Sequence, residues 1–182
     1  MNESPADGPS LDPSEDEVEV LRAFLNSGVR FLVVGGRAVQ FYEHTRSTKD
    51  LDLLVEFAPE NWQKLEVAMG SLNDKVHPFE DLSQSGKHQG RLFDHEIGAY
   101  RNVELLTAID GVSFSEAWSE SNEGTFAGLR VRVISKGHLI LSKQDTGRPT
   151  DADDIKRLQG ICLNNARSAS TPRRSQPHAK RG

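Results

Sequence analysis

Phe31-Leu32-Val33-Val34-Gly35-Gly36-Arg37-Ala38-Val39, and shortly after it Arg46-Ser47-Thr48-Lys49-Asp50-Leu51-Asp52-Leu53-Leu54-Val55-Glu56, are the two stretches that organise this chain. The first is a short apolar run that enters a pair of glycines and continues with Ala38, Val39, Phe41 and Tyr42 at helical spacing. Glycine lets the backbone turn tightly and approach a ligand closely. A helix N-terminus behind such a turn offers unpaired N–H groups and the positive end of the dipole, which suits a phosphate. Gly-Gly is also ordinary punctuation between elements, so the turn alone decides nothing.

The second stretch is an apolar strand pattern carrying two acids. Side chains alternate along a strand, so Asp50 and Asp52 are expected on one face and Leu51 and Leu53 on the other. Two readings are open for the pair. A divalent metal such as Mg²⁺ resolves the repulsion of neighbouring carboxylates and couples them to substrate phosphates. The solvated face of an edge strand also carries acids at no cost. The nearby Gly35-Gly36 turn and the lead-in Arg46-Ser47-Thr48 favour the first reading. Arg46 can neutralise a phosphate or pair with an acid, and Thr48 can brace the loop by side-chain hydrogen bonds.

Working outward, Glu104 is a lone acid in Asn102-Val103-Glu104-Leu105-Leu106, a third strand pattern. If that strand lies beside Asp50 and Asp52, Glu104 completes a three-carboxylate, two-metal cluster; otherwise it sits on a wet face, since pairing and register are not legible in sequence. Lys143, on a helix pattern that Ser135 caps, can reach a phosphate as a point charge. Asp151 and Asp153 open the last helix and are read as complements of its dipole, with Arg148 as a partner for one of the acids. His77, His88 and His95 have no metal-type spacing; Lys87 and His88 are loop candidates for substrate contact.

The remaining pattern supplies the frame. Ser14 with Glu17 is a capping box, and Val18, Leu21, Phe24 and Leu25 continue a helix to Gly28. Pro59 opens a helix through Leu72. Residues 73–90 read as a loop around short elements, 91–106 as one or two strands broken at Gly98, and 125–134 as a hairpin turning at Ala127-Gly128. The last helix is expected to run through Cys162. The order of helix, strand, helix, strand, helix, strands and helices gives an α+β (mixed α/β) domain with a central mixed sheet, flanking helices and C-terminal helices.

At 182 residues the prior is one domain with tails: a disordered acidic N-terminus over 1–12, the domain over 13–164 and a disordered basic tail over 165–182. The net charge of −5 conceals this asymmetry. Seven acids and no Lys or Arg precede Val20, while Arg167, Arg173, Arg174, Lys180 and Arg181 lie in the tail without an acid. Such a tail is either a solvated terminus or a contact to nucleic-acid phosphates. The single Cys162 excludes an intramolecular disulfide and suits a reducing, cytoplasmic setting. No secretory signal or membrane-spanning run is visible, so no membrane partner is expected.

Together the Gly-Gly turn and the Asp-x-Asp strand resemble the nucleotidyltransferase superfamily (the DNA polymerase β-like fold). Within it the chain looks most like small bacterial proteins related to the AbiEii abortive-infection toxins. The later resemblance rests on Val133-Ile134-Ser135, Leu139-Ile140, Lys143, Gly147-Arg148 and Asp151-Ala152-Asp153-Asp154-Ile155. The resemblance implies Asp50, Asp52 and Glu104 as catalytic metal ligands for Mg²⁺, two ions being expected. It implies Gly35 and Gly36 at the nucleotide phosphates, where Arg37, Arg46, Thr48 and Lys143 are further candidates. The family often has Ser or Thr where this chain has Arg37, and Asp where it has Glu104. The expected activity is transfer of a nucleoside monophosphate from a nucleoside triphosphate to a hydroxyl of RNA, protein or a small molecule. The alternative is a weakly active or inactive nucleotide-binding relative, one half of a toxin–antitoxin or other pair with a cognate partner protein.

Overall fold

The computed structural model describes residues 10–11, 13–44, 46–77, 89–144 and 146–160. Lys87, His88, Cys162, the basic tail and most of the acidic N-terminus lie outside the described residues. The elements follow in the order β1 (Ser10–Leu11), α1 (Glu15–Asn26), β2 (Phe31–Val34), α2 (Gly35–Tyr42), β3 (Leu51–Val55), α3 (Pro59–Leu72) and β4 (Asp74–His77). Then come β5 (Gln89–Asp94), β6 (Ala99–Leu106), α4 (Phe114–Ser119), β7 (Asn122–Phe126), β8 (Leu129–Val133), α5 (Lys136–Gln144) and α6 (Pro149–Leu158). The architecture is the expected mixed α+β one.

Local chemistry sets these boundaries. Ser14 and Glu17 cap α1 reciprocally, and Gly28 takes the left-handed φ of 67° just beyond its end. Pro59 lies in the first turn of α3. The hairpin of β7 and β8 turns at Ala127-Gly128, both with positive φ. Two expectations need correction. Ser10 and Leu11, placed in a disordered terminus by sequence, pair in parallel with Thr125 and Phe126 of β7; a two-residue strand held by backbone bonding leaves no side-chain pattern to read. The last helix stops at Leu158 rather than Cys162, with Gly160 at a φ of 72° ending it.

The eight strands form one sheet in the order β1-β7-β8-β2-β3-β6-β5-β4. Within it β2 is antiparallel to β3 and parallel to β8, and β3 is parallel to β6. The two central strands are near-continuous apolar runs because both of their faces are covered. Phe24, Leu21, Leu32, Leu53, Leu54, Phe126 and Ile134 lie at the heart of the core. Each such side chain contributes on the order of 1.5–3 kcal/mol relative to staying exposed. Asp52 is the one polar interruption of β3. Among the described residues, no helix is long and apolar enough to cross a membrane.

One buried cation joins the far end of the sheet to α1. Arg101 of β6, 4% exposed, lies 2.7 Å through Nε from Asp74 Oδ2 and 2.9 Å through a terminal nitrogen from Asp94 Oδ2. It also reaches Glu19 at 2.8 Å and Asp16 at 3.2 Å on α1. The Nε–Asp74 approach is poorly aligned for a hydrogen bond, so its attraction is mainly ionic. Removing the guanidinium strands the fully buried Asp74 carboxylate. Arg101→Met is therefore expected to lower the unfolding free energy by about 3–5 kcal/mol, the cost of breaking a buried ion pair from one side. Urea unfolding followed by circular dichroism checks this; a midpoint equal to that of the wild type would refute it.

Candidate active site

The site is built where β2 runs out. Val34 ends the strand and Gly35, at a φ of 57°, opens α2. No side chain caps this helix. Its second residue, Gly36, presents its backbone N–H toward the Asp52 carboxylate and favours its charged form. The approach is close: a Cβ on Gly35 would lie 1.8 Å from Asp52 Oδ2, and one on Gly36 would lie 2.6 Å from Thr48 Oγ1. Gly35 is thus fixed twice, by a left-handed backbone and by lack of room.

Register supplies the neighbour. In the parallel pairing of β3 with β6, Asp52 is opposite Glu104, so the two carboxylates share a face on strands about 4.8 Å apart. Glu104 also accepts a hydrogen bond from the Gln89 side-chain amide. Burial pushes the Asp52 carboxyl up to about 6, and the negative charges of Glu104 and Asp50 add to the rise. The Gly36 N–H and the Lys143 ammonium work in the opposite direction without cancelling it. A cavity of about 210 Å³ opens over these groups, lined by Gly35, Asp52, Glu104, Asp110, Lys143 and Arg148 among others.

Asp50 stands one residue before β3 and is exposed rather than being part of the strand. It faces an adjoining hollow with Arg91, Asn102 and Glu104, so Glu104 is the wall between the two hollows. Among the described residues, no three His, Cys, Asp or Glu side chains converge as a ready cage for a metal ion. The donor set nonetheless fits Mg²⁺: the oxygens are hard, the negative charge around Asp52 is under-neutralised, and this ion commonly binds through one or two carboxylates plus substrate phosphates.

The other residues singled out by sequence separate into two groups. Lys143 lines the cavity, 8% exposed, with its Nζ 2.6 Å from Asp151 Oδ1 and 3.0 Å from Asp154 Oδ2. Thr48 packs on Gly36 and donates a long hydrogen bond of 3.4 Å to the Asp50 carbonyl, so it braces the loop. Arg46 donates from Nε to Asp154 Oδ1 at 2.8 Å and lines a separate hollow with Ser47, Thr150 and Arg157. Arg37 does not reach the cavity. It is 5% exposed and grips the fully buried Glu17 of α1 with contacts of 2.7, 2.8 and 3.0 Å, which corrects its assignment to the phosphates. A carboxylate buried that deeply needs a cation, and Arg37 supplies it.

In sequence Asp151 and Asp154 group with Lys143, Arg148 and Asp153, and Asp151 reads as a complement of the helix dipole. Asp151 and Asp154 are 5% and 2% exposed and hold Lys143. The signal was present: positions 151, 154 and 158 share one face of α6, the face that buries Leu158. Gln89 and Asp110 carried no pattern that sequence reasoning could use.

A family model described as "Nucleotidyl transferase of unknown function (DUF2204)" matches residues 14–174. No curated protein matches the chain by sequence. Among solved structures, the chain is similar to the lincosamide antibiotic adenylyltransferase LnuA in its lincomycin-bound form. There the TM-score is 0.54 and the identity 19%, over 82% of this chain and 98% of that one. It is similar also to ANT(2")-Ia in complex with adenylyl-2"-tobramycin, with a TM-score of 0.53 and 18% identity over 79% of this chain and 86% of that one. At these identities the likeness is one of fold.

Two outcomes are expected from the turn and the acid it receives. Gly35→Ala forces Asp52 aside, so it should lower stability by at least the ~1–2 kcal/mol of a left-handed non-glycine residue and weaken nucleotide binding; unchanged melting and binding would contradict the geometry. For Asp52, the folded carboxyl titrates above its ordinary 3.8. The folded chain therefore binds more protons than the unfolded one between those values, and stability falls as pH rises from about 4 to about 6. Without divalent ions, Asp52→Asn should melt a few degrees above the wild type at pH 7.5, and the two should converge below pH 4. Parallel melting curves at both pH values would be inconsistent with this sign.

Proposed function

The chain belongs to the nucleotidyl transferase family whose model its residues 14–174 match, and we propose that it transfers a nucleoside monophosphate from a nucleoside triphosphate to an acceptor hydroxyl. One observation carries the reading: the Asp52–Glu104 pair opens into the same cavity as the N-terminal turn of α2 and Lys143. Acids beside an uncapped helix N-terminus and a buried ammonium make sense when a polyphosphate and its counter-cation come between them.

In this reading Asp50, Asp52 and Glu104 hold Mg²⁺, which when bound neutralises phosphate charge and polarises the reacting phosphorus. The backbone N–H groups at Gly35 and Gly36 orient the phosphates, and their closeness to Asp52 leaves no room for a side chain there. Lys143 stabilises negative charge on the departing pyrophosphate. Glu104, on the wall between the two hollows, accepts the proton of the acceptor hydroxyl as that oxygen bonds to the α-phosphorus and the bond to pyrophosphate breaks. Gln89 keeps the Glu104 carboxylate turned toward this position.

The acceptor proposed first is a hydroxyl of a small molecule, with RNA and protein hydroxyls as the comparison. The support is the fold shared with LnuA and ANT(2")-Ia, whose structures contain lincomycin and an adenylylated tobramycin.

The purified chain with each of the four α-labelled NTPs, Mg²⁺ and separate pools of small molecules, RNA and protein should label one pool and release pyrophosphate. Asp52→Ala should abolish labelling, and Glu104→Ala should slow it by about 10²–10⁴-fold, the range of a lost general base. Chelation by EDTA should stop the reaction and added Mg²⁺ restore it. No labelling in any pool, or labelling undiminished in Asp52→Ala, would sink the proposal.

A further inference from the structure

Beside the carboxylate pair, a set of buried charges lies between α5 and α6. Lys143 is held by Asp151 Oδ1 and Asp154 Oδ2. The second oxygen of Asp151 accepts from Thr146 Oγ1 at 2.8 Å and lies 2.9 Å from Arg148 Nε. The second oxygen of Asp154 accepts from Arg46 Nε. All four carboxylate oxygens are therefore engaged, and neither acid can swing without breaking an ionic contact.

An ammonium has three donors. Two are taken by the acids, and the third has no protein acceptor among the described residues, while Lys143 lines the cavity over Asp52. Arg46 begins the segment 46–50 that leads into β3, and Thr48 of that segment packs on Gly36. Asp154 thus grips the lysine with one oxygen and the lead-in to the acids with the other. A dipole-complementing acid needs only an exposed place in the first turn. Asp151 and Asp154 are instead almost fully buried, and stability alone is a poor reason for a buried ionic set, because apolar residues fill such a place as well.

We propose that Asp151 and Asp154 are positioning residues: they fix the Lys143 ammonium with one N–H aimed at the triphosphate. The inference rests on the nucleotide reading of the cavity and goes beyond it by making α6 part of the site. The test is a double-mutant cycle on the binding of a non-hydrolysable NTP, measured by calorimetry on the full chain with Mg²⁺. Asp154→Asn should weaken binding by about 10-fold, as loss of a partner that orients a ligating group does. Lys143→Gln should weaken it at least as much, and the double variant should be no more than about twofold weaker than Lys143→Gln, because Asp154 acts through the lysine.

In transfer assays Asp154→Asn should raise KM for the NTP and also lower kcat, because Lys143 stabilises charge on the departing pyrophosphate, and neither effect should recur in the Lys143→Gln background. Should Asp154→Asn fail to fold by circular dichroism, Asp151→Asn closes the same cycle from the other acid. Binding unchanged in the single variant, or losses that multiply in the double one, would overturn the proposal, as would a wild type that binds no NTP. A wild type that binds NTP with the expected coupling yet transfers nothing would leave the positioning role standing and remove the reaction.

Discussion

Everything at the site depends on the register of β3 against β6. Parallel pairing places Asp52 opposite Glu104 and, in the same stroke, sets Leu51, Leu53 and Leu54 against Val103, Leu105 and Leu106. A slip of one residue would turn the acid into the core and a leucine into the cavity. The apolar pairs thus enforce the polar one: three matched rows of apolar side chains hold two like charges together that would separate in an unconstrained chain. Core packing provides the free energy, and the raised Asp52 carboxyl is where part of it is used against itself.

That arrangement accounts for the way the rest of the molecule is charged. Glu17 and Arg37 are matched to each other on α1 and α2, and Arg101 gathers acids from α1, β4 and β5. Away from the cavity, buried charge is paired. At the cavity it is not: the acids outnumber Lys143, and that lysine is already shared by two further carboxylates. The buried acids elsewhere each touch a basic side chain, whereas Asp52 and Glu104 have none at contact distance among the described residues.

Much of this was legible in the order of residues. Caps, glycine turns, the hairpin and the apolar runs of β2 and β3 follow from local rules, so element types and the α+β class are legible, as is the turn at Gly35 and Gly36. Glu104 was legible as a candidate but not as a neighbour, because register is a property of two distant strands. Arg37 was misplaced for a similar reason: its position beside the glycines is local, while its partner Glu17 is 20 residues away. Asp50 is expected on one face with Asp52; it stands one residue before β3 and lines the adjoining hollow. Asp151 and Asp154 carry a helical spacing that marks a buried polar face, while the dipole supplies a competing local explanation for acids in a first turn.

The anchoring of Lys143 by α6 has a consequence for the order of events during synthesis. Asp52, Glu104 and Asp110 of the cavity, the glycine turn and the lysine itself are translated before Pro149, yet the two carboxylates that hold the lysine come after it. A nascent chain that has emerged only through Gln144 has the strands of the sheet but an ammonium with neither anchor. Domains tend to fold as units once their last element is available. The pocket therefore matures late: the lysine on its wall is anchored only once α6 is in place.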